Sequence, residues 1–116
     1  EVWGGAQLRD FNYVDDVVEA FVRAAEEPAA DGQVFNLGSR EVVSLRQVAD
    51  MLVAANGRGC YELREFPEER RKIDIGDYYS DYSLAQATIG WQPKTGLAEG
   101  MCRTLEYFRV HGTHYL

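Results

Sequence analysis

Apolar residues recur at helical spacing in three stretches of this chain, with short apolar or alternating runs between them. Val14, Val17, Val18, Phe21, Val22 and Ala25 stand at i, i+3, i+4, i+7, i+8 and i+11, which predicts one apolar stripe on a helix ending near Pro28. Leu45, Val48, Ala49, Leu52 and Val53 repeat that spacing, with Ser44 and Gln47 placed as a capping box and Gly57 as the stop. Leu97, Met101, Leu105 and Phe108 mark the last helix. Between these, Val34-Phe35-Asn36-Leu37, closed by Gly38, predicts a parallel strand covered on both faces. Cys60 to Phe66 sets Tyr61 and Leu63 against Glu62 and Arg64, as a strand with one wet face does before Pro67 stops it. Trp3-Gly4-Gly5 favours a turn, Arg9 to Tyr13 a short extended piece, and Glu68 to Lys72 a charged loop. A short helix is expected after Asp81 or Ser83, stopping at Gly90, with Trp91 and Pro93 forming a rigid turn.

The order helix, strand, helix, strand, helix, helix is α/β, but two strands of any length are few for an independent doubly wound sheet. Residues 1–116 therefore read as a single partial domain of a larger fold, without an internal repeat or a long linker. Composition agrees with about one globular domain, at 46% hydrophobic and 27% charged. A net charge of -7 argues against a nucleic-acid partner, which clustered Lys and Arg would have to hold. No apolar run approaches the roughly 20 residues that span a bilayer, and the start lacks a signal-peptide pattern, so a cytoplasmic protein with no membrane partner is expected. Cys60 and Cys102 have no C-x-x-C partner or neighbouring His and read as buried free thiols. His111 and His114 lack the Glu of a zinc-protease helix, and no metal site is expected there.

Several polar positions stand out against this background. Asp15 and Asp16 suit the first turn of a helix and read as caps rather than as a general acid/base pair. Asp81 and Ser83 read the same way, and Trp91 as a core or turn anchor. Taken alone, an Arg ahead of an aromatic strand, such as Arg9, is half of a surface salt bridge, and the triplet Arg70-Arg71-Lys72 is a solvated face.

In their order and spacing the motifs resemble the C-terminal portion of the extended short-chain dehydrogenase/reductases, the NAD-dependent epimerase/dehydratase family acting on nucleotide sugars. The resemblance covers nearly the whole chain. It rests on Arg9-Asp10-Phe11-Asn12-Tyr13-Val14-Asp15-Asp16, on Phe35-Asn36-Leu37-Gly38, on Arg71-x-x-Asp74, on Asp81-x-Ser83, and on Gly90-Trp91-x-Pro93 followed by Leu97-x-x-Gly100. It implies an α/β fold: the C-terminal substrate-binding lobe with a late strand of the Rossmann sheet, helix-rich and with few strands. It also implies that Arg9 and Arg71 clamp the diphosphate of a UDP-, GDP- or dTDP-sugar, that Asp74 hydrogen-bonds the ribose, that Phe11 lies near the nucleotide and that Tyr78 lies near the sugar. Elementary chemistry suits those roles, since two guanidinium groups can grip a diphosphate and one carboxylate can accept from both ribose hydroxyls. Arg70 is the alternative to Arg71, and Asp77 the alternative to Asp74. The chain departs from the family at Leu84, where D-x-S is usually followed by a basic residue, and at Ile73, where a Gly commonly precedes the Asp.

Two family signatures are missing from these residues. There is no G-x-x-G-x-x-G turn for a dinucleotide and no Tyr-x-x-x-Lys. The resemblance thus implies no catalytic and no cofactor-binding residue here, with NAD or NADP belonging to the intact family enzyme, an isomerase or lyase. The expected function is the substrate-binding part of such an enzyme, inactive alone and partnered by the missing N-terminal Rossmann portion. The alternative is a noncatalytic nucleotide-sugar-binding or oligomerisation module, assembling as a homo-oligomer by strand exchange.

Overall fold

Local signals set most element ends in the computed structural model, which describes residues 1–115. Helix α2 (Leu45–Asn56) begins at the expected capping box: Ser44 Oγ accepts from Gln47 N at 3.2 Å, and Gln47 Oε1 accepts from Ser44 N at 2.8 Å. It ends on Gly57, whose φ of 68° is the left-handed conformation that favours glycine. Ser44→Ala should cost about 1 kcal/mol of stability, read as a lowered urea midpoint with an unchanged slope. Helices α1 (Val14–Glu26) and α5 (Leu97–His111) fall where the periodicity predicts them, and α4 (Ser83–Ile89) where Ser83 and Gly90 do. The charged segment after Pro67 is not a loop but a single helical turn, α3 (Glu68–Arg71), with Glu in its first turn and Arg in its last, as a helix dipole favours.

The strands are short and pair in twos. β1 (Val2–Trp3) runs parallel to β4 (Leu63–Arg64), and β2 (Leu8–Asp10) runs antiparallel to β3 (Val42–Ser44) in the register Leu8↔Ser44, Arg9↔Val43, Asp10↔Val42. Tyr78 bridges Arg9 in parallel, so β2 is flanked on both edges. The strand expected over Cys60 to Phe66 shrinks to two residues because β1 offers no longer partner. The strand expected at 34–37 does not form: among the described residues no neighbour pairs with it, and a strand needs a ladder partner for its backbone groups. Phe35 and Leu37 pack inward there, while Val34 is 84% exposed. Both cysteines are also exposed rather than buried.

The core sits where α1 meets α4 and the turn Pro28–Ala30, around Ala20, Ala30, Ala85, Ile89 and Trp91. Trp91 is its largest buried side chain, set edge-on to Tyr82 at 5.8 Å, with its indole N–H donating to the Asp16 carbonyl at 2.7 Å. The predicted apolar stripe of α1 is not the face that this core buries. Ala20 is buried, whereas Val14, Val18, Phe21 and Val22 are exposed, because small alanines allow close helix approach and the large side chains point elsewhere. The radius of gyration is 16.7 Å, against about 13 Å for a compact domain of this length. The fold is thus mixed α/β, rich in helix and open, with large apolar surfaces uncovered. No helix among the described residues is long and apolar enough to cross a membrane.

Candidate functional site

The central strand β2 carries the residues that gather the site. Successive side chains of a strand point to opposite faces, so Arg9 and Asp10 diverge from adjacent positions. Arg9 Nη1 donates to the Leu8 carbonyl at 2.7 Å and to the Gly76 carbonyl. Its Nη2 lies 3.9 Å from Asp74 Oδ1, within ion-pair range but beyond a hydrogen bond. Asp74 turns its other oxygen to Gly76 N at 3.1 Å, leaving Oδ1 toward the guanidinium. Both side chains are mostly covered, at 20% and 24% exposure. Tyr78 follows on the same edge: its N–H donates to the Leu8 carbonyl at 3.0 Å and its side chain is open to solvent.

Arg9, Asp74 and Tyr78 are therefore brought together, and Phe11 and Arg71 are placed differently. Phe11 lines a cavity of about 170 Å³ with Tyr13, Thr95, Leu97, Met101 and Thr104, between the end of the β2 segment and α5. Arg71 is exposed on α3 and lines a recess with Gly4, Leu63 and Phe66; no hydrogen bond or ion pair among the described residues joins it to Arg9 or Asp74. Of the two alternatives, Arg70 stacks its guanidinium 4.5 Å from the Trp3 ring, and Asp77 accepts from Leu8 N at 2.8 Å. Each of those side chains is thus occupied by the fold.

The remaining sequence candidates are structural, and the capping expected of them is corrected: the N-caps are Tyr13 for α1 and Tyr82 for α4, neither with a side-chain cap bond. Asp16 does not cap α1; it is buried, and its carboxylate accepts from Lys94 N at 3.0 Å and from Thr95 N at 2.8 Å. Tyr13 at the helix cap makes no side-chain bond, and Asp15 is exposed. Asp81 accepts from the Ser83 hydroxyl and, at 2.8 Å, from Ser83 N; these bonds hold its carboxyl below the usual range. Glu19 grips Lys94 Nζ at 2.6 and 2.7 Å and Arg23 at 2.8 Å, and these partners likewise hold its carboxyl low. A depressed carboxyl contributes stability above its unfolded value and loses it as pH falls through its folded one. Glu19→Gln should therefore show a shallower loss of stability on acidification than the unsubstituted chain, with urea midpoints compared from neutral to acidic pH.

Asp10, Gly38 and Ser80 escaped the reading of the sequence as site residues. Asp10 Oδ2 accepts from Ser39 N at 3.1 Å and Ser80 N at 3.0 Å. The available signal was the strand alternation that sets Asp10 opposite Arg9, together with the glycine that closes Phe35-Asn36-Leu37-Gly38.

A dinucleotide phosphate needs an open helix N-terminus reached by a glycine turn. Here α2 gives its Gln47 amide to Ser44, and α5 has the Glu41 carboxylate 2.9 Å from Leu97 N. A carboxylate thus already occupies the start of α5, where it would repel an incoming phosphate.

A family model described as GDP-mannose 4,6 dehydratase matches residues 2–104. A UDP-glucose 4-epimerase of Mycolicibacterium smegmatis is 40% identical over 105 residues, which are 90% of this chain and 32% of that protein. A human dTDP-D-glucose 4,6-dehydratase is 30% identical over 115 residues, covering 90% and 31%. Among solved structures, the UDP-glucose 4-epimerase of Thermotoga maritima, crystallised with UDP-glucose, superposes with a TM-score of 0.80 at 34% identity, covering 94% of this chain and 35% of that one. The chain spans about a third of the length of the curated relatives it matches.

Proposed function

The chain belongs to the NAD-dependent epimerase/dehydratase family of extended short-chain dehydrogenase/reductases, and from that premise we propose that it supplies the substrate-binding part of a cytoplasmic enzyme acting on a nucleotide sugar. In this reading residues 1–116 form one partial domain that grips the nucleotide end, while proton transfer falls to residues outside it. The dinucleotide, which in such enzymes oxidises a sugar hydroxyl and returns the hydride, is held elsewhere as well.

The observation that carries this reading is the meeting of Arg9 and Asp74, 3.9 Å apart, from distant parts of the chain. At 3.9 Å the pair has not closed to hydrogen-bond distance, so Nη2 keeps donors for a phosphate oxygen and Asp74 Oδ1 keeps lone pairs for a ribose hydroxyl. Tyr78, exposed beside them, would face the sugar, Phe11 would lie toward the nucleotide, and Arg71 would close on the diphosphate from α3. UDP-sugars are the favoured class, because the epimerases of Mycolicibacterium smegmatis and Thermotoga maritima are both UDP-glucose enzymes.

Calorimetric titration of the full chain with UDP-glucose, GDP-mannose and dTDP-glucose tests the reading. Heat is expected with UDP-glucose first, and silence with all three would sink it. A second reading, an oligomerisation module, draws on the uncovered stripe Val14, Val18, Phe21 and Val22 together with the exposed Val34. It would show as a dimer in sedimentation with no nucleotide-sugar binding.

A further inference from the structure

The segment that brings Asp74 and Tyr78 to Arg9 has almost no apolar anchorage. Ile73 is 80% exposed and Ile75 68%, while Tyr78 and Tyr79 also face solvent. Burial cannot fix residues 74–80, so polar ties must. Arg9 Nη1 holds the Gly76 carbonyl, Leu8 exchanges bonds with Asp77 and Tyr78, and Ser80 N donates to Asp10 Oδ2 rather than to the backbone of β2. The last of these ends the run, where the backbone pairing begun at Tyr78 gives way to a side chain.

The same oxygen of Asp10 also takes Ser39 N, so one carboxylate oxygen joins three segments that are far apart in the chain. The approach is close enough to demand glycine at 38: a Cβ there would press into the Ser80 carbonyl oxygen and lie 2.9 Å from Asp10 Oδ2. The glycine ending the 34–37 run therefore serves this junction rather than a strand.

We propose that Asp10 is the positioning residue of the nucleotide clamp, a role that rests on the functional reading above. Its single oxygen fixes Ser80 and the 38–39 turn to β2, and so sets where Asp74 and Tyr78 stand beside Arg9. Asp10 itself touches no ligand in this arrangement; it acts through the backbone it holds.

The test compares the full chain with Asp10→Ala, Asp10→Asn and Gly38→Ala, reading UDP-glucose affinity by calorimetry and amide exchange at Ser39 and Ser80 by NMR. Asp10→Ala should weaken binding about ten-fold, the loss expected when hydrogen bonds to a charged acceptor are removed, and should speed exchange at both serines. Asparagine keeps an oxygen that can accept from both amides, so Asp10→Asn should restore most of what alanine loses in both readouts. Gly38→Ala should weaken binding in the same direction without touching the carboxylate, and it decides the matter if Asp10→Ala fails to fold. Unchanged affinity in Asp10→Ala, or equal losses in Asp10→Ala and Asp10→Asn, would overturn the proposal. If the unsubstituted chain binds no UDP-glucose, the ligand reading of the Arg9 site fails instead, and exchange at Ser80 alone then shows whether Asp10 holds the segment.

Discussion

Trp91→Ala should unfold the chain, or lower its urea midpoint more than any other single core substitution. Trp91 is 1% exposed and is the largest side chain in a core otherwise built of alanines and one isoleucine. Truncating a buried Trp typically costs about 3–5 kcal/mol, from lost transfer energy and the cavity left behind. That is a large part of the roughly 5–15 kcal/mol by which whole domains are stable, and this open chain has little else to draw on. The loss has a second component, because the indole N–H is a partner of the buried Asp16 carbonyl, 2.7 Å away. Trp91→Phe separates the two: it keeps an aromatic ring against Tyr82 and removes only the indole's bond to that carbonyl, which keeps its own helical partner, so an intermediate midpoint is expected. A Trp91→Ala midpoint shift worth less than about 1 kcal/mol would mean that the core lies elsewhere.

That core also shows what sequence reasoning could and could not reach. Helix α2 was fully readable, since Ser44, Gln47 and Gly57 define its ends through bonds a few residues long. The ends of α4 and α5 followed from Gly90 and from the spacing of Leu97, Met101 and Leu105 for the same reason. The 34–37 strand failed because strands depend on partners distant in sequence, and none of the described residues supplies one. For α1, periodicity located the helix but not its buried face: Ala20 packs inward while Phe21 is 70% exposed. An apolar stripe records affinity for some apolar surface and does not name that surface. Asp16 misled for a related reason. A carboxylate in a first turn usually serves its own helix, yet this one reaches Lys94 and Thr95 across the fold.

The site divides along the same line. Arg9 and Asp74 stand out because the family motifs mark them, but only the folded chain shows that they meet and that Asp10 and Asp77 are tied into the backbone. Asp77 gives one oxygen to Leu8 N, while Asp74 is the one of the two that faces Arg9. Stacking of Arg70 on Trp3 likewise leaves Arg71 the less engaged of the two arginines.

Arg9→Ala should reduce UDP-glucose affinity on the order of 100-fold or more, since removing one partner of a close, partly desolvated charge pair costs about 2–5 kcal/mol. Arg9 is only 20% exposed and sits on a strand paired on both edges, so its fork is pre-organised and a phosphate loses little by engaging it. The same substitution also releases the Gly76 carbonyl, and a loss of binding alone could reflect a loosened 74–80 segment. Arg9→Lys distinguishes the causes. A lysine keeps the charge and can still donate to Gly76, but it cannot span a carbonyl and a phosphate oxygen with a planar fork. Exchange at Ser80 near that of the unsubstituted chain, with affinity still reduced about ten-fold, would assign the loss to the phosphate contact. Raising ionic strength should weaken binding by the unsubstituted chain more steeply than the residual binding of Arg9→Ala, because one of two screened attractions has been removed. Arg71→Ala should cost less than Arg9→Ala, since Arg71 is exposed on a single helical turn and must be ordered when ligand arrives. The reverse ranking would move the main anchor of the diphosphate from β2 to α3 and leave the Arg9–Asp74 pair as a strut of the fold.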